Sequence, residues 1–519
     1  MNHPTTRRTF LGASAATAAM AALASCTNPT TSTQPGSATT RIMPTDPIIA
    51  EFEKRRPTSG APVAQRLTPA PFDTEITGKS LTTWGYNDSL NAPLIRASTG
   101  DTLDATVANR LGQGTSVHWH GLALRNNADG VQGLTQKAIA PDTNYGYNFR
   151  LAHPGTYWYH SHFDMQRERA LYGPLIIEDP REPLAYDQEW VVLLDDWLDG
   201  ITGTPEEVAK ELSRGMNMSG SSMQDMNQGN MSGMDGMDVG MKHMLMGAKS
   251  EYLGGDAGDV KIPVHLFNGK APMNPETLES KPGNRIRLRI INASGDTAYR
   301  VGVPGQKLTL THTDGFPVQH EDADAVVLGM GERIDAILTV RDGYTPVLAL
   351  PEGKKGNAYG LIRTGIGTAP GADALPTSLT GKVVDGSRLK ADESVLLGSK
   401  APDRVHEMRL TGSMEKYDWG INGQRFDMSN PFQGAFDLRL DERVQVRVIN
   451  DTHMWHPIHL HGHTFQLAGN GARKDTVIVK PEQTVVFNFD ADNPGQWLTH
   501  CHNAYHAEAG MMGVFSYIK

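Results

Sequence analysis

The sequence predicts an all-β protein built from three related β-sandwich domains, and three observations support this. From about residue 62, short apolar alternations are separated by Gly, Asn, Asp and Pro, which is a pattern of strands and turns. At 519 residues the chain is too long for one core, so two to four domains are expected. A sequence pattern of a turn, a strand and then an asparagine occurs three times, and its copies end at Asn109, Asn292 and Asn450.

The individual strands follow from the same alternation. The clearest ones lie in residues 103–107, 145–149, 191–194, 285–291, 333–340 and 444–449. Helical periodicity is scarce outside Pro205–Leu212. We place the three sandwiches at residues 62–182, 183–368 and 395–519, with a linker rich in Gly, Ala, Pro and Thr at residues 369–394.

Charge and cysteine content narrow the function classes. The formal net charge of −10 argues against nucleic acid as a partner and suits cationic substrates such as metal ions. The only cysteines are Cys26 and Cys501. If Cys26 serves as an anchor, no intramolecular disulfide can form, and Cys501 is a lone thiol among histidines. That setting is typical of a metal ligand or a nucleophile.

The first 26 residues resemble an export signal of the twin-arginine type. Arg7 and Arg8 precede a short, mildly apolar stretch that cannot span a bilayer, and the stretch ends at Cys26 in a lipobox-like sequence. We expect export to the cell envelope or periplasm, with a lipid on Cys26 as the only membrane attachment. Simple cleavage, leaving a soluble protein, is the alternative. Residues 27–61, rich in Thr, Ser and Pro and then charged, read as a tether.

A methionine-rich insert interrupts the second domain at residues 213–247. It holds ten of the 22 methionines: Met216, Met218, Met223, Met226, Met231, Met234, Met237, Met241, Met244 and Met246. No helical or strand period connects them, so the pattern does not predict a buried core. Thioethers are soft ligands that select Cu(I), and we interpret the insert as a surface loop that captures cuprous ions. A loop without a metal role is the alternative.

Histidine pairs are the strongest functional signal. Ten of the 19 histidines fall in four clusters: His118 and His120; His160 and His162; His456, His459 and His461; His500, His502 and His506. Side chains two residues apart share one face of a strand, so each His-x-His pair can converge on one metal cluster. His265, His312 and His320 of the second domain form no such pair, and we expect that domain to be a spacer without copper.

The last cluster can serve two metal sites at once. If residues 499–502 are extended, His500 and His502 face one way and Cys501 faces the other. His506 and Met511 follow at spacings that match a blue-copper set of Cys, His and a weak axial Met.

With these motifs the chain resembles the multicopper oxidases, the family of laccases and cuprous oxidases, and most closely a bacterial copper-resistance type on an exported lipoprotein. The resemblance runs from about residue 62 to the C-terminus. It implies three cupredoxin-like Greek-key sandwiches and four copper ions, one type 1, one type 2 and two type 3. It implies type 1 ligands His456, Cys501, His506 and Met511, type 2 ligands His118 and His459, and type 3 ligands His120, His160, His162, His461, His500 and His502.

The resemblance also implies the reaction. One-electron donors reduce type 1 copper, electrons pass through Cys501 to His500 and His502, and the trinuclear cluster reduces O2 to water. Making water consumes protons, so carboxylates should lie near the cluster. Asp129 matches an acidic position of bacterial members, and Glu508 is the candidate on the other side, although Ala507 stands where several relatives carry their acid.

Residues beside the type 1 site bear on the substrate. Met454 matches a methionine that helps bind cuprous ion in copper-resistance members, with Asp451 nearby and Thr452 where those members have an acid. With Met231, Met234, Met237, Met241 and Met244 of the insert, this favours Cu(I) oxidation for copper tolerance by a monomeric enzyme. Fe(II) and phenols stay open as substrates. A copper-sequestering lipoprotein that acts through its methionines is the non-enzymatic alternative.

Overall fold

Strands dominate the fold, as the sequence predicts, and they build three sandwiches in chain order. The computed structural model describes residues 40–216 and 241–519. Each predicted strand is present: five lie within slightly longer elements, and the one predicted at residues 333–340 ends at Thr339. Three short helices accompany them: α1 (Pro47–Arg55), α2 (Pro205–Leu212) and α3 (Ala504–Ala509). In this described part, no helix is long and apolar enough to cross a membrane.

The first domain contains nine strands. They are β1 (Pro62–Leu67), β2 (Pro69–Ile76), β3 (Lys79–Tyr86), β4 (Ile95–Ser98), β5 (Thr102–Ala108), β6 (Val117–His120), β7 (Asn144–Arg150), β8 (Gly155–Ser161) and β9 (Tyr172–Glu178). One sheet has the order β1-β5-β7 and the other β4-β9-β8-β6, while β2 and β3 form a hairpin. Antiparallel pairing of β6 with β8 sets His118 directly opposite His160.

The second domain packs two six-stranded sheets around an aliphatic core. Its strands are β10 (Gln188–Trp197), β11 (Lys249–Ser250), β12 (Gly255–Asp256), β13 (Val264–Phe267), β14 (Thr277–Glu279), β15 (Arg285–Asn292), β16 (Tyr299–Gly302), β17 (Leu308–Thr313), β18 (Phe316–Ala323), β19 (Ala325–Leu328), β20 (Arg333–Thr339), β21 (Tyr344–Pro351), β22 (Ala358–Arg363) and β23 (Val383–Asp385). The sheet orders are β13-β10-β15-β20-β17-β18 and β14-β22-β21-β16-β19-β23.

The third domain repeats this plan. Its strands are β24 (Arg404–Thr411), β25 (Gly420–Ile421), β26 (Phe436–Leu438), β27 (Arg443–Asn450), β28 (His456–Leu460), β29 (Phe465–Leu467), β30 (Arg473–Lys474), β31 (Thr476–Val479), β32 (Thr484–Asp490), β33 (Gln496–Cys501) and β34 (Met512–Tyr517). The sheet orders are β25-β24-β27-β32-β29-β30 and β26-β34-β33-β28-β31.

The repeated asparagine has the same role in all three domains. Asn109, Asn292 and Asn450 are buried at the end of a strand, and each amide nitrogen donates to two backbone carbonyls. Each side-chain oxygen accepts from the backbone N–H two residues further on. Asn is one of the few residues that can make such a turn while satisfying buried backbone groups. We call these three residues the corner asparagines.

The predicted tether is wrong for residues 40–61. Asp46 caps α1 with Pro47 at its first position, which is a favoured helix start. Ile42 and Ile49 are 5% and 3% exposed, and Arg56 donates to Asn493 at 2.9 Å. Two buried apolar side chains and a half-buried arginine anchor this segment to the body. The polar composition of the segment gave no signal for these contacts.

Two further predictions need correction. Residues 369–394 are only partly a linker, because β23 pairs in parallel with β19 and completes a sheet of the second domain. Met244 of the insert is fully buried in the core cluster of the third domain, next to Val208 and Leu212. A bridge to Val260 holds it there, so Met244 is a packing residue.

Candidate metal centre

The paired strands β28 and β33 bring most of the predicted ligands together. Their register sets His459 opposite His500 and Ile458 opposite Cys501. Because side chains alternate along β33, His500 faces one side of the sheet while Cys501 faces the other. The predicted division of this segment between two sites is therefore present in the fold.

On one side lies a three-residue cluster of His456, Cys501 and His506. The Nδ1 atoms of the two imidazoles are 3.1 Å apart, and Cys501 Sγ lies 3.7 Å from each of them. All three side chains are fully buried. Met511 is also buried, and its backbone carbonyl accepts from the Cys501 N–H at 3.0 Å. These donors are the soft sulfur and imidazole set that suits copper better than zinc.

The outer nitrogen of each imidazole in this cluster has a fixed partner. His456 Nε2 lies 2.8 Å from Thr452 Oγ1, and His506 Nε2 lies 3.0 Å from Asp259 Oδ2. Asp259 also accepts from the Tyr417 hydroxyl at 2.6 Å. Such outer partners fix ring orientation and raise ligand basicity. Sequence reasoning missed Asp259 and Tyr417, because both are distant in sequence from the histidine motifs.

On the other side lie two histidine triads and a histidine pair. One triad is His120, His160 and His502, the other is His162, His461 and His500, and the pair is His118 and His459. His461 Nε2 and His500 Nε2 are 3.1 Å apart, and His118 Nε2 and His459 Nε2 are 3.4 Å apart. The type 3 and type 2 ligands expected from the sequence thus converge on this side of the sheet, where His120 also groups with His118 and His459.

The unpaired nitrogens test whether these residues fit copper. His120 Nδ1, His160 Nε2, His162 Nε2 and both nitrogens of His502 are buried without a hydrogen-bond partner in the described part of the chain. An unpaired buried polar atom costs about 1–3 kcal/mol, so such a concentration indicates atoms that bind a metal.

Their protonation state agrees with metal binding. Burial, followed by repulsion from neighbouring imidazoles, lowers the pKa well below 6.5 for His160, His461 and His500. The rings are therefore neutral near pH 7 and offer lone pairs. Neutral all-imidazole ligation suits copper, so the donor set fits the group.

Asp129 lies at the predicted place beside these histidines. Its side chain is fully buried, with Oδ2 at 3.0 Å from His461 Nδ1 and Oδ1 at 3.2 Å from His118 Nδ1. Its backbone carbonyl lies 2.9 Å from the same His118 nitrogen. One carboxylate therefore joins the pair of His118 and His459 to the triad that contains His461.

Asp475 has a comparable role that sequence reasoning missed. Its Oδ1 lies 3.1 Å from His120 Nε2, and its backbone carbonyl lies 2.9 Å from His459 Nδ1. Arg333 of the second domain donates to both oxygens of Asp475, at 2.7 Å and 2.5 Å, and all these groups are buried. Gly331, two residues before Arg333, packs directly against the rings of His502 and His120, so a Cβ at this position would collide with them.

The second domain is thus more than a spacer. Within residues 40–216 and 241–519, no cluster of metal ligands includes one of its histidines. Yet Arg333 holds Asp475, and Asp259 holds His506. A one-sequence pattern gives no signal for such partners, because single Arg and Asp residues are common on strands and loops.

The other predicted residues fall in different surroundings. Met454 is buried in the same core as Cys501, and its backbone carbonyl accepts a hydrogen bond from the Asn450 side chain. Asp451 is exposed and forms an ion pair with Arg409, which leaves it a surface residue. Glu508 is exposed on α3. Met241 is half-buried against the third-domain core, and Met231, Met234 and Met237 lie outside the described residues.

Comparisons with known proteins agree with this architecture. Family models described as multicopper oxidase match residues 72–182, 189–365 and 399–518. The chain is 41% identical to multicopper oxidase MmcO of Mycobacterium tuberculosis, over 99% of this chain and 96% of that protein. It is 31% identical to a copper resistance protein A homolog of Pseudomonas syringae pv. tomato, over 86% and 90%.

Solved structures share the fold. A laccase from Botrytis aclada superposes with a TM-score of 0.69 at 24% identity, covering 90% of this chain and 89% of that one. A multicopper oxidase from Campylobacter jejuni, described as a metallo-oxidase, gives 0.64 at 20% identity, over 93% and 98%. With three matched domains and the two metal-ligand clusters in place, this chain belongs to the multicopper oxidase family of oxidoreductases.

Proposed function

We propose that this protein is a cuprous oxidase that couples one-electron oxidation of Cu(I) to four-electron reduction of O2 to water. His456, Cys501, His506 and Met511 would hold a type 1 copper. His118 and His459 would hold a type 2 copper, and the two triads would hold a type 3 pair. Bound there, four coppers supply the one-electron stores that O2 reduction needs.

The observation that carries this proposal is the connection between the two sites. Cys501 lies between His500 and His502 in the chain, so a few covalent bonds join the thiol to either imidazole. In addition, His500 Nδ1 donates to the Cys501 carbonyl at 2.8 Å. Both links are buried, which excludes water from the electron path.

The surroundings of the type 1 ligands support a small ionic donor. Both imidazoles are fully buried and their outer nitrogens are taken by Thr452 and Asp259. A bulky phenol would therefore not contact either ring directly. His506 Nε2 lies against Asp259, a buried carboxylate, and negative charge beside the site suits a cation.

Half-buried thioethers packed on the third-domain core form the capture surface of this proposal. Met216, Met241 and Met414 all pack on the core cluster that contains Cys501, and the Met216 N–H donates to the Met414 carbonyl. Met414 lies three residues before Tyr417, whose hydroxyl donates to Asp259. Thioethers select Cu(I), so this group provides a binding surface for it. Sequence reasoning did not single out Met414.

Proton supply and cellular role complete the proposal. Asp129 accepts and returns protons on the His118 side of the trinuclear site, since it is buried against two ligand histidines. The relatives named copper resistance protein A support a role in copper tolerance. We further propose a monomer exported by the twin-arginine-type signal and lipid-anchored at Cys26 in the cell envelope.

Oxygen uptake on adding Cu(I) tests the function. We expect the wild type to consume O2, to display a blue thiolate–copper band and a near-ultraviolet type 3 shoulder, and to lose uptake in Cys501→Ser. Wild-type uptake by Cys501→Ser would refute the electron path. Copper binding without any O2 uptake by the wild type would favour the sequestering lipoprotein.

A second comparison addresses the substrate. Deleting residues 213–247 should weaken Cu(I) oxidation more than oxidation of a bulky organic dye, because the dye needs no thioether capture. Equal losses of Cu(I) oxidation and dye oxidation would refute the role of the insert in capturing Cu(I). Higher kcat/KM for phenols than for Cu(I) in the intact protein would favour the laccase alternative.

A further inference from the structure

Glu168 is a buried carboxyl group that the copper ligation does not use. It ends the 3-10 turn Asp164–Glu168, which follows the strand carrying His160. Its side chain is 7% exposed, and its Oε1 has no hydrogen-bond partner among the described residues. A Cβ on Gly295 would overlap Oε1, so the carboxyl group lies directly against that backbone.

This position is next to the helix that connects the two copper sites. The Gly295 carbonyl accepts from the Ala504 N–H, the first residue of α3, at 2.8 Å. The hydroxyl of Tyr505, the next residue, is buried without a partner in the described part, and Tyr505 and Glu168 each affect the other's pKa. Glu168 thus lies beneath the turn between His502 and His506.

The surroundings keep Glu168 protonated at neutral pH. Charged or titratable groups face it from each neighbouring element: Arg167, Asp196, Asp296 with its partner Lys354, and Tyr505. Burial raises the pKa of Glu168 to about 8, and the nearby Asp196 raises it further than Arg167 can lower it. Below that pH the side chain holds a proton in a buried place.

Reduction of O2 to water consumes protons, and a titratable group on this side of the site can supply them. Asp129 lies on the His118 side. On α3, Ala504 and Ala507 carry no titratable group. Glu508 lies at the solvent-exposed surface of the helix, and desolvation raises its pKa to about 7, so it is the competing carboxyl group that a Glu508→Gln variant tests. Glu168 reaches the same place from a different element.

We propose that Glu168 is the proton-relay residue on the His502 side of the trinuclear site. The proposal rests on the function proposed above, in which O2, four electrons and four protons give two water molecules. The O–H bond of Glu168 breaks, and its proton moves along the interface with α3 to an oxygen atom that becomes water. The carboxylate left behind regains a proton from solvent.

Rapid mixing separates this role from electron entry. Enzyme reduced without oxygen is mixed with O2, and reoxidation is followed by the return of the blue band. Glu168→Gln should be reduced at the wild-type rate but reoxidised roughly 100-fold more slowly, the typical effect of losing a general acid. Wild-type reoxidation should slow as the pH rises through about 8, and the variant should lose this dependence. Glu168→Asp should recover part of the rate.

Asp164→Asn is the matched control. Asp164 lies on the same turn and is exposed, and its φ of 51° is tolerated by asparagine. It should reoxidise at the wild-type rate. The proposal is overturned if Glu168→Gln also reoxidises at the wild-type rate, or if Glu508→Gln is the variant that loses both rate and pH dependence.

Infrared spectra give a readout independent of turnover. In the full-length protein, with and without copper, the band of a protonated carboxyl should disappear as the pH rises through about 8. It should be missing in Glu168→Gln. If the wild type consumed no O2, the proposed function would fail, yet the band would still report the proton on Glu168. An unchanged band in the variant would refute the assignment.

Discussion

Replacing Arg333 by methionine tests whether the second domain holds the trinuclear site in shape. The guanidinium makes two hydrogen bonds to Asp475, one to the Thr156 carbonyl at 3.1 Å and one to the Gly331 carbonyl at 3.0 Å. Although burial opposes it, Arg333 holds the pKa of Asp475 well below its usual range. Without Arg333, that carboxylate is buried and unpaired beside His120.

Breaking a buried ion pair from one side costs about 3–5 kcal/mol. Part of that free energy is lost as stability of the copper-free protein. Part is lost as copper affinity, because Asp475 no longer orients His120 and His459, and loss of such an outer partner typically costs 10–100-fold in metal affinity. We expect type 2 copper to be lost first, while the blue band persists.

Copper content by mass spectrometry and the type 2 signal in electron paramagnetic resonance measure this effect. Arg443→Met is the control, because Arg443 is a buried arginine that forms a two-pronged pair with the partly exposed Asp490 in the third domain, away from the ligands. It should lower stability without loss of type 2 copper. Arg333→Lys keeps the charge but loses the two-pronged geometry. Its type 2 copper content should therefore lie between those of the wild type and Arg333→Met. Full copper and a wild-type type 2 signal in Arg333→Met would refute the positioning role.

Three other outcomes are expected. Met414→Leu should raise the KM for Cu(I) several-fold without changing dye oxidation, whereas the buried core variant Met408→Leu should change neither; equal effects would contradict the capture surface. Met511→Leu should keep the blue band but shift the type 1 potential, since the axial ligand tunes it, and an unchanged potential in a redox titration would argue against axial ligation. Asn292→Ala should lower the free energy of unfolding by about 2–4 kcal/mol in denaturant titrations, because two buried carbonyls lose their donor; a loss under about 0.5 kcal/mol would exclude a structural corner.

The sequence predicts the sandwiches and the ligand groups because both depend on local spacing. A His-x-His pair on a strand has a defined direction, so His118 with His120 and His500 with His502 could be grouped without coordinates. The supporting residues could not be found in this way. Asp259 and Arg333 reach the site only through the packing of one domain on another, and no period or motif marks them.

The methionine-rich insert marks a second boundary of sequence reasoning. Its composition suggests a set of equivalent thioethers, yet Met244 is fully buried while Met216 and Met241 are half-buried. Bridge pairing with Val260 separates Met244 from the others. The Met244 backbone is held both by this bridge and by its N–H, which donates to Glu211 at 3.0 Å, so Met244 packs the core while the half-buried methionines can meet an ion.

The corner asparagines suggest how the two kinds of domain diverged. In the second domain the residue two positions after Asn292 is Ser294, whose hydroxyl only donates to Asn292 and the Thr297 carbonyl. In the third domain the equivalent residue is Thr452, and its hydroxyl also reaches His456. A turn that every copy of the domain needed for folding was thus available to orient a metal ligand in one of them.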